Sequence, residues 1–245
     1  MDDLSLTEVL FEASTAAQGA LVELEDWGPN RERPGQYRLD VAADTAAVAV
    51  LSKSGLSILS EESGRTDGPL PLLAVLDPID GSTNAHRGIS VYSTSICVFD
   101  ADGPRVGTVV NHSSGHRFHA IRGSGAWRDG LVISPSRCEL LSEAVVGLSG
   151  FLSGNLGSWQ YRTLGCASLE LCAVAEGSLD AYVLGRGISL RPWDYLAGLL
   201  ICAEAGASVS ELDGRDLWVR SDSPRRPVAA ASHNLLKTIL SVAAG

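Results

Sequence analysis

Positive charge is scarce in this chain: 19 Lys and Arg stand against 29 Asp and Glu, a formal net charge of −10. That balance excludes a binder of nucleic acid or anionic membrane, whose affinity comes from clustered cations. No uninterrupted apolar stretch reaches the ~18 residues of a membrane span. The start, Met1-Asp2-Asp3, is acidic where a signal peptide would be basic, so the expectation is a soluble, cytoplasmic protein. Cysteine is sparse and unpatterned. Five are present, Cys97, Cys138, Cys166, Cys172 and Cys202, an odd set without a C-x-x-C pair, and most lie in apolar runs. The set argues against a disulfide framework and a structural zinc site. Internal repeats, low-complexity tracts and a C-x5-R nucleophile motif are also missing.

What is present is enough chain for a large core. At 245 residues, with a prior of about 150 per domain, we expect one unit over 1–245 with two sublayers, 1–140 and 141–245. The first segment, Leu4 to about Leu24, repeats apolar residues near a 3.6 period, and Ser5-Leu6-Thr7-Glu8 has the form of a capping box. Trp27 to Tyr37, with Gly28-Pro29 and Arg33-Pro34-Gly35, reads as a loop or mobile flap. A second helix is expected from about Val41 to Lys53, closed by Gly55 and carrying Asp44.

Leu56 to Leu59 alternates like a strand and runs into Glu61-Glu62, while Arg65 to Pro71 reads as a surface excursion. Three β-rich runs, Ser95–Phe99, Arg105–Val110 and His116–Ile121, predict an antiparallel meander. Gly123 to Gly130 reads as a tight turn region followed by a linker to Glu139. The second half alternates: a strand at Ala144–Leu148, a helix at Ala167–Ala175, a strand at Leu179–Leu184, a helix from Trp193 to about Ala205. Strands at Val209 and Val228–Ala231 and a helix from Asn234 follow. Alternating elements beside a meander predict a layered α/β (α+β) fold.

The stretch Leu73-Ala74-Val75-Leu76-Asp77-Pro78-Ile79-Asp80-Gly81-Ser82-Thr83-Asn84 organises the rest, an apolar strand delivering two carboxylates to its end. Pro78 stiffens the link between them, and Gly81 can turn amide N–H groups toward an anion. Carboxylate oxygens beside such a turn suit Mg²⁺ with a phosphate. An acidic turn with an Asx cap fits the same residues, and Asp194 at a helix start fits an ordinary cap.

In order along the chain, Glu61-Glu62-Ser63, Asp77-Pro78-Ile79-Asp80-Gly81-Ser82 and Trp193-Asp194 through Glu204-Ala205-Gly206-Ala207 resemble the linked signatures of the inositol monophosphatase family. The resemblance extends from about Asp40 to Gly214. Asn84-Ala85-His86-Arg87-Gly88-Ile89 looks most like archaeal-type members acting on both inositol monophosphate and fructose 1,6-bisphosphate. It implies an αβαβα five-layer sugar-phosphatase fold and a Mg²⁺-dependent phosphomonoesterase with two or three ions, Mn²⁺ being a possible substitute. Glu61, Asp77 and the Ile79 carbonyl would hold one ion, and Asp77, Asp80 and Asp194 a second. Gly81, Ser82 and Thr83 would bind the phosphate. Asp44 with Ser82 would activate the attacking water, completing a catalytic set with Glu61 and Asp77, although the usual V-T-x-x-D motif reads Asp40-Val41-Ala42-Ala43-Asp44 here. Gly165-Cys166-Ala167 matches a sugar-contacting segment, with Asp80 and Asp194 beside it. Homodimers and Li⁺ inhibition are further family expectations.

The reaction such a site performs needs charge neutralised on phosphate oxygens, a positioned water and help for the leaving alkoxide. The expected substrate is a small sugar or polyol phosphate, inositol 1-phosphate foremost. Where many relatives carry an acid before Trp-Asp, this chain carries Arg186 and Arg191, which would favour a bisphosphate such as fructose 1,6-bisphosphate or else face solvent. Histidinol phosphate and 3′-phosphoadenosine 5′-phosphate are the other substrates of this fold, and a non-enzymatic metal binder is the remaining class. His112, His116 and His119 form H-x3-H-x2-H, a pattern open to zinc, but on a strand the last two point to opposite faces, so they read as surface or edge-strand residues. Trp159 and Tyr161 read as aromatic core.

Overall fold

The computed structural model describes residues 1–30, 36–152 and 154–243. Two helices come first, α1 (Asp3–Glu23) and α2 (Arg38–Lys53). A run of strands follows: β1 (Ser57–Ser60), β2 (Gly64–Thr66) and β3 (Leu73–Asp80), then the short helix α3 (Ser82–Arg87). The meander is β4 (Ser93–Asp100), β5 (Gly103–Asn111), β6 (Arg117–Ile121), β7 (Gly125–Arg128) and β8 (Leu131–Val132). The second half comprises β9 (Val145–Ser149), β10 (Gln160–Arg162), α4 (Ala167–Ala175), β11 (Ala181–Leu184), α5 (Pro192–Ala205), β12 (Ser208–Glu211), β13 (Pro227–Ala230) and α6 (His233–Ala243).

Two sheets result. The eight-stranded one runs β2-β1-β3-β4-β5-β6-β7-β8, antiparallel except for the parallel β1/β3 pair, and the five-stranded one runs β10-β9-β11-β13-β12. Period-2 burial explains the layering. Ala74, Leu76, Ile96 and Val98 face Leu6, Leu10, Leu39 and Ala43 of α1 and α2. Their neighbours Val75, Cys97, Phe99 and Val109 face α4 and α5, which also pack on Tyr182, Leu184 and Ala229 of the second sheet. Val146, Val183 and Val228 face α6 through Leu235, Leu236 and Ile239. The order is therefore helix, sheet, helix, sheet, helix, the expected αβαβα arrangement.

Several local expectations need correction. Asp2, not Ser5, caps α1: its carboxylate accepts the Ser5 N–H at 2.8 Å, so the helix begins before the proposed capping box. Gly123–Gly130 contains a strand, β7, because Ala126 is buried and Trp127 stacks on its cross-strand partner His119 with ring centroids 4.9 Å apart. The strands β2, β8 and β10 lie at sheet edges, too short to carry an alternating pattern. Trp159 is 65% exposed, since it stands beside the outermost strand β10 rather than in a core. The ends of the expected 27–37 loop are closed by a Pro29–Tyr37 bridge; Arg33-Pro34-Gly35 lie outside the described residues.

Candidate active site

The site is built on an irregularity in β3. Asp77 pairs with Ser95 and Asp80 with Ser93, three residues on one strand against two on the other. A spacing of three would send the two acids to opposite faces of a regular strand. The extra residue is a bulge, and it turns both toward the α4/α5 layer. Pro78 sits in that bulge, where no ladder N–H is required. The Pro78 carbonyl accepts a hydrogen bond from the Thr94 hydroxyl at 2.7 Å, and Thr94 Oγ1 in turn lies 2.7 Å from His112 Nε2. His112 is thus buried rather than at the surface, and burial pushes its pKa down to about 4.

Parallel pairing of β1 with β3 brings Glu61 alongside, its N–H donating to the Leu76 carbonyl at 3.1 Å. The first turn of α5 supplies Asp194. One oxygen from each of Glu61, Asp77 and Asp194 lies within 4.8 Å of the others, and this is the metal-suited cluster among the described residues; His112, His116 and His119 form none. Asp194 is also a cap, since its Oδ2 accepts the Arg191 N–H at 2.7 Å. Asp77 is 2% exposed and its Oδ1 has no hydrogen-bond partner. Asp80 stands just outside the trio, its Oδ2 taking the Ser168 N–H at 2.7 Å and the Cys166 thiol at 3.2 Å.

Gathering acids in this way is costly without a counter-ion. Burial, then the charges of Asp194 and its neighbours, pushes Glu61 up to about 8. Burial followed by Asp80 pushes Asp194 up to about 7. Asp77 is raised well above the carboxylate range by burial and then Glu61, and Asp80 is raised by burial against the lowering hydrogen bonds of Ser168 and Cys166. Hard oxygen donors, mutual repulsion and an orphaned buried oxygen fit a divalent cation.

Next to the trio, Gly81 opens α3 at φ 89°, and a Cβ there would meet the Val91 carbonyl oxygen at 2.9 Å, so only glycine fits. Ser82 donates its hydroxyl to the Ile79 carbonyl at 2.8 Å, which occupies one lone pair of that expected ligand. The Thr83 hydroxyl lies 3.0 Å from that of Tyr37. Ser82 and Asp44 are not joined by a hydrogen bond. Asp44 accepts from the buried Ser60 hydroxyl, whereas the acid influenced by the Ser82 hydroxyl is Asp40. Asp40 is pushed up to about 6 by burial, against lowering by Ser82 and the Tyr37 N–H, and its Oδ1 is buried without a partner. Asp40 and Asp44 lie one helical turn apart on the same buried face of α2, so the expected Asp44 is one turn away from the acid that Ser82 influences.

Gly165 is docked by Asn84, whose Nδ2 donates to the carbonyls of Val91 and Leu164, each at 2.8 Å. Cys166 and Ala167 are buried, and the Cys166 side chain points inward to Asp80 instead of toward a ligand. Glu170, which carries no motif signal in the sequence, is fully buried beneath this segment. Its Oε1 accepts the Leu164 N–H at 3.2 Å, and burial pushes it up to about 7. Arg191 is exposed and donates to the Asp222 carbonyl at 2.7 Å, near enough to lower Asp194. Arg186 lies on the loop after β11, exposed to solvent.

A sequence model of the inositol monophosphatase family matches residues 36–244. A fructose-1,6-bisphosphatase/inositol-1-monophosphatase of Archaeoglobus fulgidus is 35% identical over 199 residues, covering 79% of this chain and 77% of its own. A protein of Pasteurella multocida named Nus factor SuhB is 30% identical over 220 residues, covering 82% of this chain and 79% of its own. Among solved structures, a Pyrococcus horikoshii protein described as similar to inositol-1 monophosphatase superposes with a TM-score of 0.88 at 26% identity, over 98% of this chain and 99% of that one. No helix among the described residues is long and apolar enough to cross a membrane. The chain belongs to the inositol monophosphatase family, metal-dependent phosphoric monoester hydrolases acting on small phosphate substrates.

Proposed function

We propose that this protein hydrolyses a small sugar or polyol phosphate, inositol 1-phosphate foremost, in a Mg²⁺-dependent reaction. The observation that carries the reading is the Glu61–Asp77–Asp194 trio standing beside the Gly81-Ser82-Thr83 turn. Glu61, Asp77 and the Ile79 carbonyl would hold one ion and Asp77, Asp80 and Asp194 a second. When bound, the metal neutralises phosphate oxygens and lowers the pKa of a coordinated water. The chain's own residues do the positioning. Gly81 lets the backbone approach the phosphate closely, and the Ser82 and Thr83 hydroxyls orient it. Asp40, whose Oδ1 has no hydrogen-bond partner and whose carboxyl is influenced by Ser82, accepts the proton of the attacking water; we assign it this task in place of Asp44, whose Oδ1 is taken by Ser60. Asp80, fixed by Ser168 and Cys166, faces the leaving alcohol.

The second reading is a bisphosphate substrate such as fructose 1,6-bisphosphate, alone or alongside inositol 1-phosphate. Arg191 next to Asp194 favours it, as does the name of the Archaeoglobus relative. Turnover of both substrates in the parent and in Arg191→Ala separates the readings: a loss confined to the bisphosphate supports the second, and equal effects remove it. The reaction itself is tested by Asp77→Asn, which should abolish Mg²⁺-dependent phosphate release while the chain stays folded. Near-normal turnover would sink the metal assignment. We further propose a homodimer, with the exposed Phe151 (88%) and Trp159 on the face nearest β9 and β10 as its candidate contact; sedimentation of Phe151→Ser tests it, an unchanged dimer counting against that face.

A further inference from the structure

A cavity of about 490 Å³ is lined by Leu59, Glu61, Arg65, Trp193, Arg220 and Asp222, and no residue of the Gly81-Ser82-Thr83 turn lines it. A second cavity of about 360 Å³ adjoins it and shares Arg65 and Arg220. Both cavities thus include the same two arginines, Arg65 on edge strand β2 and Arg220 on the loop between β12 and β13.

Arg220 is held firmly but not neutralised. Its Nη2 donates to the carbonyls of Asp100 and Ala101, and its guanidinium lies over the Phe99 ring, 5.7 Å from the centroid. Among the described residues none of its bonds is to a carboxylate, in a chain with ten more acids than bases. Carbonyl anchors and a ring fix the fork while its charge and remaining N–H donors stay uncommitted. Arg65 contacts Asp67 at 3.2 Å through Nε, which leaves both its Nη groups. The acids on the wall are already engaged: Asp222 stands 3.9 Å from Arg191, and Glu61 belongs to the metal-suited trio. Leu59 and Trp193 supply apolar wall, which strengthens attraction between a guanidinium fork and an anion. Planar forks of this kind match phosphate oxygens in pairs.

We propose that Arg65 and Arg220 form an anion subsite for a phosphate group, separate from the scissile phosphate at Gly81–Thr83. The group comes either from the second phosphate of a bisphosphate substrate or from free inorganic phosphate. The binding claim stands apart from the reaction proposed above, because it is read without turnover. Isothermal titration of the protein with Mg²⁺ present, using inorganic phosphate, should show a site beyond binding at the Gly81 turn that Arg65→Gln/Arg220→Gln weakens about tenfold or more, as expected for losing charged hydrogen bonds. Both residues are solvent-exposed, so the variant should fold; a matching circular dichroism melt verifies it. No phosphate binding in the parent, or equal binding in the variant, overturns the subsite. Kinetics then separate the sources. If KM for fructose 1,6-bisphosphate rises in the variant while KM for inositol 1-phosphate stays fixed, the subsite takes the substrate's second phosphate. If both KM values stay fixed while titrated binding is lost, it takes free phosphate.

Discussion

Removing one carboxylate from the trio should stabilise the protein when metal is absent, the reverse of what deleting a buried polar group normally does. In Asp77→Asn the side chain keeps its shape and loses its charge. Two full charges no more than 4.8 Å apart interact by about 3.5 kcal/mol or more at an effective dielectric of ~20. Shared protons reduce this, because Glu61 is raised to about 8 and Asp194 to about 7, and solvent at Glu61 screens it further. A gain of roughly 1–3 kcal/mol at pH 8 remains, or about 3–10 °C in Tm for a chain of this length.

The gain depends on pH with a definite sign. Each of these acids keeps its proton to higher pH folded than unfolded, so their contribution to metal-free stability is fully present below the unfolded pKa of about 4 and is lost as pH rises through about 7 and 8. At pH 5 the trio is largely protonated in the folded chain, and Asp77→Asn should raise Tm much less than at pH 8. Thermal melts of the parent and variant in EDTA at pH 5 and 8, repeated with Mg²⁺, make the test. The parent should gain most from Mg²⁺ at pH 8 and the variant almost nothing. A variant less stable than the parent at pH 8 in EDTA, with its Mg²⁺ shift intact, would refute the repulsion argument.

Asp40→Asn should lower kcat about 10²–10⁴-fold, while Asp44→Asn should cost about 1–3 kcal/mol of stability through its lost bond with Ser60 and leave kcat of the folded fraction near normal; a reversed pattern in kinetics and melts would restore Asp44 to the site. Gly81→Ala forces a Cβ against the Val91 carbonyl at positive φ and should cost about 1–3 kcal/mol, with phosphate affinity measured by product inhibition falling as well. Thr94→Val leaves the Pro78 carbonyl and His112 Nε2 without their shared partner. It should destabilise by about 2–4 kcal/mol and weaken Mg²⁺ binding in a titrated thermal shift, since the bulge that aims Asp77 and Asp80 loses its anchor.

The long periodic elements were legible because burial imposed their period: α4 spans the expected 167–175 and α5 ends at the expected Gly206. The acids too could be read, since Glu61 directly follows β1, Asp194 stands in the first turn of α5, and the apolar run of β3 leads to Asp77 and ends at Asp80. What could not be read was register across distance. Asp40 and Asp44 share a helix face, and only the packing of α2 over β1 and β3 decides which meets Ser60 and which meets Ser82. Cys166 matched a ligand-contacting segment in sequence, yet its thiol turns under Asp80 because Ser93 and Ser168 complete a buried polar pocket there. His112 looked like an edge-strand residue, but it lies just past the end of β5, and its ring is drawn in by Thr94 on the neighbouring strand.

The central claim is that the Glu61–Asp77–Asp194 trio makes this chain a metal-dependent phosphomonoesterase. The most direct measurement is phosphate release from inositol 1-phosphate by the parent and by Asp77→Asn, each with Mg²⁺ and with EDTA. The account predicts release only in the parent with Mg²⁺. Release from the parent in EDTA, or undiminished release from the folded variant with Mg²⁺, would contradict it.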